Sequence, residues 1–206
     1  ATDQIFAMAG RVTKRDEKTA AAIFESLLLT GIAMSFTKTS RPGSGTEHIM
    51  AHFWECMELL DSKTPNYHGE DVGVTTLIML RYYEALARLP QVTAHPEICN
   101  WDEIYSIYGP LAPDVQKLNT PDTITDGIAP RWIEACWPQI RRIVQSVPSY
   151  DACLAAMRQA GCKTTIEEVG KAPDFVDISF RFHPYMRRRL SLKRVSHMLD
   201  LPEPLF

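Results

Sequence analysis

The sequence has no C-x-x-C pair, and its five cysteines, Cys56, Cys99, Cys136, Cys153 and Cys162, are odd in number and scattered. That excludes a disulfide framework and a zinc ribbon, and fits a reducing, cytoplasmic location. Alternating apolar and polar stretches of the strand kind are nearly absent, and no strand, glycine-rich turn and helix follow one another. No internal repeat or low-complexity tract is present, which excludes solenoids and disordered linkers. Arg11, Lys14 and Arg15 follow the first weakly apolar residues with no cleavage-site pattern, so no signal peptide is expected. The most apolar stretch, residues 20–36, holds Glu25, Ser26, Thr30 and Ser35 and reads as an amphipathic helix rather than a membrane span.

An excess of positive charge is missing too. The 22 Lys and Arg against 25 Asp and Glu give a net charge of −3, which argues against nucleic-acid binding through a broadly basic surface. One stretch differs: residues 179–197 carry Arg181, Arg187, Arg188, Arg189, Lys193 and Arg194 and no acid. The plain reading is a solvated face of a terminal helix that pairs with acids elsewhere; phosphate binding is the sharper one.

What is there is an ordinary globular composition, 206 residues with 45% hydrophobic and 23% charged. A chain of this length buries roughly 70% of its unfolded surface, enough for a core without staples. Apolar residues at three-to-four spacing predict a helix over 16–36, buried on one face, which TKTSRPGSG then breaks. S-G-T-E predicts a capping box at Ser44 and a helix from there to about Leu60. A further helix is expected over 71–89. Eight prolines between Pro90 and Pro148 predict short helices, the longest over 128–147 with Pro138 as a kink. Ser149 caps residues 150–160, Thr165 and Glu168 suggest a second capping box, and Pro184 opens a last helix to about Leu199. The chain reads as all-α, a single helical domain over residues 1–206. Trp132, Trp137 and Tyr82–Tyr83 are read as packing between helices.

The chemistry concentrates in SRPGSGTEHIMAHF, residues 40–53. His48 and His52 stand four apart, one turn apart on one helical face. His68 follows in NYHGEDVGV, and two helices joined by a short connection would fold it back toward that face. Three imidazoles suit zinc, iron, nickel or copper, although an H-x-x-x-H pair is common and also fits a structural role. Glu47 points about one hundred degrees away from His48 around the helix, and capping is its simpler use.

SRPGSGTEHIMAHFWE together with HGEDVGV resembles the C-terminal half of NAD(P)-dependent glycerol-1-phosphate dehydrogenases, relatives of glycerol dehydrogenase, iron-containing alcohol dehydrogenases and dehydroquinate synthase. The resemblance extends upstream through LLLTGIAMSF and weakly to YMRRRLSLKRVSHML. It implies an all-α domain in which His48 and His68 hold a divalent metal (zinc first, iron or nickel next) and His52 relays the hydroxyl proton beside substrate and nicotinamide. An imidazole, with an ordinary pKa of about 6.5, suits that task. The implied reaction reduces dihydroxyacetone phosphate to sn-glycerol 1-phosphate with NADH or NADPH. For the small phosphorylated substrate, the loop offers Ser40, Arg41, Ser44 and its amides as donors; an Arg41 that only stabilises the loop is equally open.

There are departures. The family's third ligand, an aspartate in G-x-G-D, and its N-terminal Rossmann-like cofactor domain are not in this chain; Asp3 and Asp16 have the chemistry without the context. Asp71 replaces the basic residue usual after H-G-E. The expectation is therefore an N-terminal cofactor domain supplied elsewhere, a chain inactive alone, no nucleic-acid partner and no membrane span; homo-oligomerisation stays open. Two alternatives also stay open: another superfamily reaction (glycerol dehydrogenase or a dehydroquinate-synthase-like lyase), and a non-catalytic helical interaction module.

Overall fold

The computed structural model describes residues 2–202. The chain is 67% helical with no strand among the described residues, apart from one isolated antiparallel bridge between Ala94 and Leu199. The α-helices are α1 (Thr2–Val12), α2 (Glu17–Thr37), α3 (Thr46–Leu60), α4 (His68–Arg88), α5 (Trp101–Tyr108), α6 (Ala112–Asn119), α7 (Pro130–Gln145), α8 (Tyr150–Gln159), α9 (Pro173–Phe182) and α10 (Leu192–Ser196).

The helix starts follow local chemistry. Asp16 caps α2 by accepting from the Thr19 amide at 2.9 Å and its hydroxyl at 2.7 Å, and Ser149 caps α8 through the Ala152 amide. The expected Ser44 capping box does not form. The cap of α3 is Gly45, whose amide donates to Glu47 Oε1 at 2.9 Å. A Cβ at Gly45 would collide with that carboxylate, so the side chain of Glu47 and the bare glycine fit one another. Thr165 and Glu168 do exchange hydrogen bonds, but they close a turn that ends at Gly170 in the left-handed region, φ 66°, and no helix continues from it.

α3 and α4 pack side by side at the centre. Met50, Phe53 and Trp54 of α3 meet Val74 and Met79 of α4, with Ile104 and Tyr108 of α5, Phe182 of α9 and Tyr185. Trp54 is fully buried and its indole N–H donates to Ser179 Oγ at 2.7 Å. A second core joins Tyr82 and Leu86 of α4 to Ile133 and Trp137 of α7 and to Met198 and Leu199. Trp137, Tyr82 and Tyr83 pack as expected; Trp132 is 56% exposed and does not.

Two further expectations fail. No long terminal helix forms: a short 3-10 turn (His183–Met186) and extended residues precede the five-residue α10, because the tail is held by side chains rather than by its own ladder. Arg188 pairs with Asp122, and Arg194, wholly buried, lies 2.7 Å from Glu97 Oε1. Nor is α2 buried on one face. Only Thr19 and Ala22 are buried, while Phe24, Leu27, Leu28, Leu29, Ile32 and Phe36 are 51–83% exposed. By length and composition α2 could cross a membrane, with a mean hydropathy of 1.6 over 18 residues.

Candidate metal centre

On α3, residues 48, 52 and 55 project within an arc of about 60°, since each step of three or four residues returns to the same side. This flank lies beside the core stripe of Met50, Phe53 and Trp54. His68 is the first residue of α4, and the α3–α4 packing carries it to that flank. The three imidazoles His48, His52 and His68 each offer a ligand atom, all within 4.8 Å of one another. Ring centroids are 5.2 Å apart for His48 and His52, 4.5 Å for His48 and His68 and 4.8 Å for His52 and His68.

Glu55 organises them, and the sequence reading missed it. Its carboxylate accepts from His52 Nδ1 at 2.9 Å through Oε2 and from His68 Nδ1 at 2.5 Å through Oε1. With both Nδ1 atoms protonated, each Nε2 is left as an acceptor, and that of His68 accepts from His48. His68 Nε2 then faces His48 Nε2 at 2.7 Å. Burial would raise the Glu55 carboxyl, but hydrogen bonds from His68 and His52 outweigh it and hold it below the usual range. Burial, then the neighbouring His68 and His52, lower the pKa of His48. The signal for Glu55 was in the sequence: it stands at the i, i+4, i+7 position after His48 and His52.

The loop before α3 is braced from afar. Arg189 donates through Nη1 to the Ser44 carbonyl at 2.7 Å and through Nη2 to Ser40 Oγ at 2.6 Å. The loop's amides are engaged internally: Gly43 N–H donates to the Ser40 carbonyl, Ser44 N–H to the Arg41 carbonyl, Gly45 N–H to Glu47 and Arg41 N–H to Thr39 Oγ1. Expected as donors to phosphate, they serve the loop's own shape. The side chain of Arg41 is exposed.

Asp71 does not reach this flank. It is fully buried, accepts from Asn66 Nδ2 at 3.0 Å and lies 3.5 Å from Lys171 Nζ, which also meets Glu58 at 2.5 Å. Burial raises the Asp71 carboxyl against the pull of Lys171. Of the two acids considered as a further ligand, Asp16 caps α2 and Asp3 sits exposed in the first turn of α1. None of the three imidazoles lines the four clefts around Lys193, Gln91, Tyr108 and Lys171; they stand on an open flank, with the His52 and His68 side chains 35% and 41% exposed.

No family model and no solved structure matches the chain. Curated proteins do. It is 27% identical over 184 residues to an NAD(P)+ glycerol-1-phosphate dehydrogenase of Geobacillus stearothermophilus, covering 89% of this chain and 39% of that protein. The corresponding protein of Bacillus subtilis is 26% identical over 174 residues, 84% of this chain and 34% of the relative. That of Thermococcus kodakarensis is 39% identical over 64 residues, 31% of this chain and 17% of the relative. The chain spans about two-fifths of the length of the first of these relatives. Along about 90% of its own length it is thus similar, at 25–27% identity, to glycerol-1-phosphate dehydrogenases, a match consistent with a fragment of that family.

Proposed function

We propose that residues 1–206 act as the helical metal- and substrate-binding domain of an oxidoreductase that reduces dihydroxyacetone phosphate to sn-glycerol 1-phosphate with NADH or NADPH. The observation that carries the reading is the convergence of three imidazoles with Glu55 on a chain similar to these dehydrogenases. The donor set fits a divalent cation: two Nε2 atoms face each other at 2.7 Å, and Glu55 fixes the tautomer of one of them. His48 and His68 would hold the ion, zinc before iron or nickel. Such an ion supplies Lewis-acid polarisation of the substrate's C2 oxygen.

The chain's own residues do the rest. His52, its Nδ1 proton on Glu55, keeps Nε2 free to accept the substrate hydroxyl proton in one direction and return it in the other. Arg41, with Ser40 and Ser44 presented by the Arg189 brace, recognises the substrate phosphate. The nicotinamide is brought by an N-terminal cofactor domain outside this chain, which also supplies a further ligand, and the assembled enzyme works in the cytoplasm. This chain alone then turns over no glycerol 1-phosphate with NAD or NADP.

Calorimetry tests the reading. Zinc should bind the chain and bind more weakly after His48→Ala and after His68→Ala; unchanged binding in both removes the ligand assignment. The zinc-loaded chain should bind dihydroxyacetone phosphate more tightly than dihydroxyacetone. Equal binding would favour a glycerol-dehydrogenase-like reaction, and clear turnover by the chain alone would show that it is not incomplete.

A further inference from the structure

A cleft of about 930 Å³ opens far from the imidazoles, where α4, α9 and α10 meet the segment around Ile98. Tyr82 lies on its wall, fourteen residues along α4 from His68, or about 20 Å at the helical rise. This is the volume of a small-molecule site. Ile98, Ile104 and Leu199 give it an apolar side.

One charged group is set into that wall. Lys193, 5% exposed, lines the cleft. Its ammonium lies over the Phe180 ring at 4.4 Å and the Tyr82 ring at 5.3 Å, and hydrogen-bonds His197 Nε2 at 2.9 Å. No carboxylate among the described residues comes within ion-pair distance of it. The buried carboxylate of Glu97 stands on the far side of His197 and is taken by Arg194, Thr125 and Tyr185. A buried cation with only neutral partners lacks the counter-charge that such groups ordinarily have.

We propose that this cleft binds a small organic anion, a carboxylate on a compact apolar body, with Lys193 as its counter-charge and the apolar wall as its seat. The proposal is independent of the metal centre. Burial, then the nearby Arg181, lower Lys193 to about 7. An anion needs the protonated amine, so binding weakens as pH rises past neutrality. The other groups facing Lys193 do not reverse that direction. His197 and His183 are held neutral by burial and by Lys193 itself, to about 4 and about 3. Arg181 at the mouth is paired with Glu103, and Asp177 is exposed.

The test uses hexanoate on the intact chain, with hexanol as the uncharged control. At pH 6, hexanoate should bind and hexanol should bind at least about tenfold more weakly, the order expected of one charge-assisted contact. Lys193→Met should lose about tenfold or more in hexanoate affinity while keeping zinc binding, and wild-type affinity should fall between pH 6 and pH 9. Because a buried substitution can disturb folding, the wild type gives a second reading. Hexanoate should slow acylation of Lys193, read by mass spectrometry, relative to the exposed Lys63 and Lys117. Equal affinity for hexanoate and hexanol, no loss in a folded Lys193→Met, or no protection of Lys193 overturns the proposal.

Discussion

His48 and His68 face each other Nε2 to Nε2 at 2.7 Å across the contact between α3 and α4, twenty residues apart in the chain. One carboxylate, Glu55, sets the orientation of His68 in that pair and of His52 beside it. Glu55→Gln keeps the shape but offers one acceptor and one donor where two acceptors are needed. Zinc affinity should fall about 10- to 100-fold, as for other residues that orient metal-bound imidazoles, with the helical circular dichroism unchanged. Calorimetry of the variant checks this, and wild-type affinity would deny Glu55 its orienting role.

A second prediction concerns Lys171, whose side chain is 1% exposed between Asp71 and Glu58. Lys171→Met leaves Asp71 as an uncompensated buried charge and should cost about 3–5 kcal/mol. Adding Asp71→Asn should recover much of that loss in urea unfolding. A double variant no more stable than the single one would mean that the ion pair is not what Lys171 contributes.

Acid should unfold the chain in two overlapping stages. His183 and His197 are kept neutral, their pKa values lowered by burial and then by Lys193 to about 3 and about 4. Folded pKa values below the ordinary 6.5 mean that this stabilisation is complete above pH 6.5 and fades as pH falls through those values. Burial would raise Glu97, yet the His197 hydrogen bond, the Arg194 charge and Thr125 hold it at about 2. That contribution, on the order of 3 kcal/mol, is present above about pH 4.5 and lost toward pH 2. Urea midpoints should therefore decline steadily from pH 7 to pH 4; a flat profile would contradict it.

Two serines separate real capping from apparent capping. Ser149→Ala removes the acceptor for the Ala152 amide and should cost about 1 kcal/mol. Ser44→Ala removes no cap from α3, and its effect on stability should stay within about 0.5 kcal/mol. Thermal melts of the two variants measure the difference.

The helices were legible where a local signal and tertiary packing agreed. Asp16, Ser149 and the apolar stripe of α3 mark their elements within one or two residues, because each cap closes over three positions of chain. The tail was not legible. Its Arg188, Arg189 and Arg194 are fixed by Asp122, Ser40, Ser44 and Glu97, partners roughly 65 to 150 residues away that no periodicity reveals. The histidine cluster was readable in part: spacing placed His48 and His52 together, and the short connection suggested His68. Glu55 was passed over, although it shares their helical face, because spacing alone does not separate a tethering acid from a solvated one.

α2 carries a consequence for any measurement on this chain. Its six large apolar side chains stand 51–83% exposed, and covering even half of that surface would release on the order of several kcal/mol. A second copy of the chain covering it in the folded state would make the melting temperature rise with concentration. Dilution series, not single melts, are what report the stability of these residues by themselves.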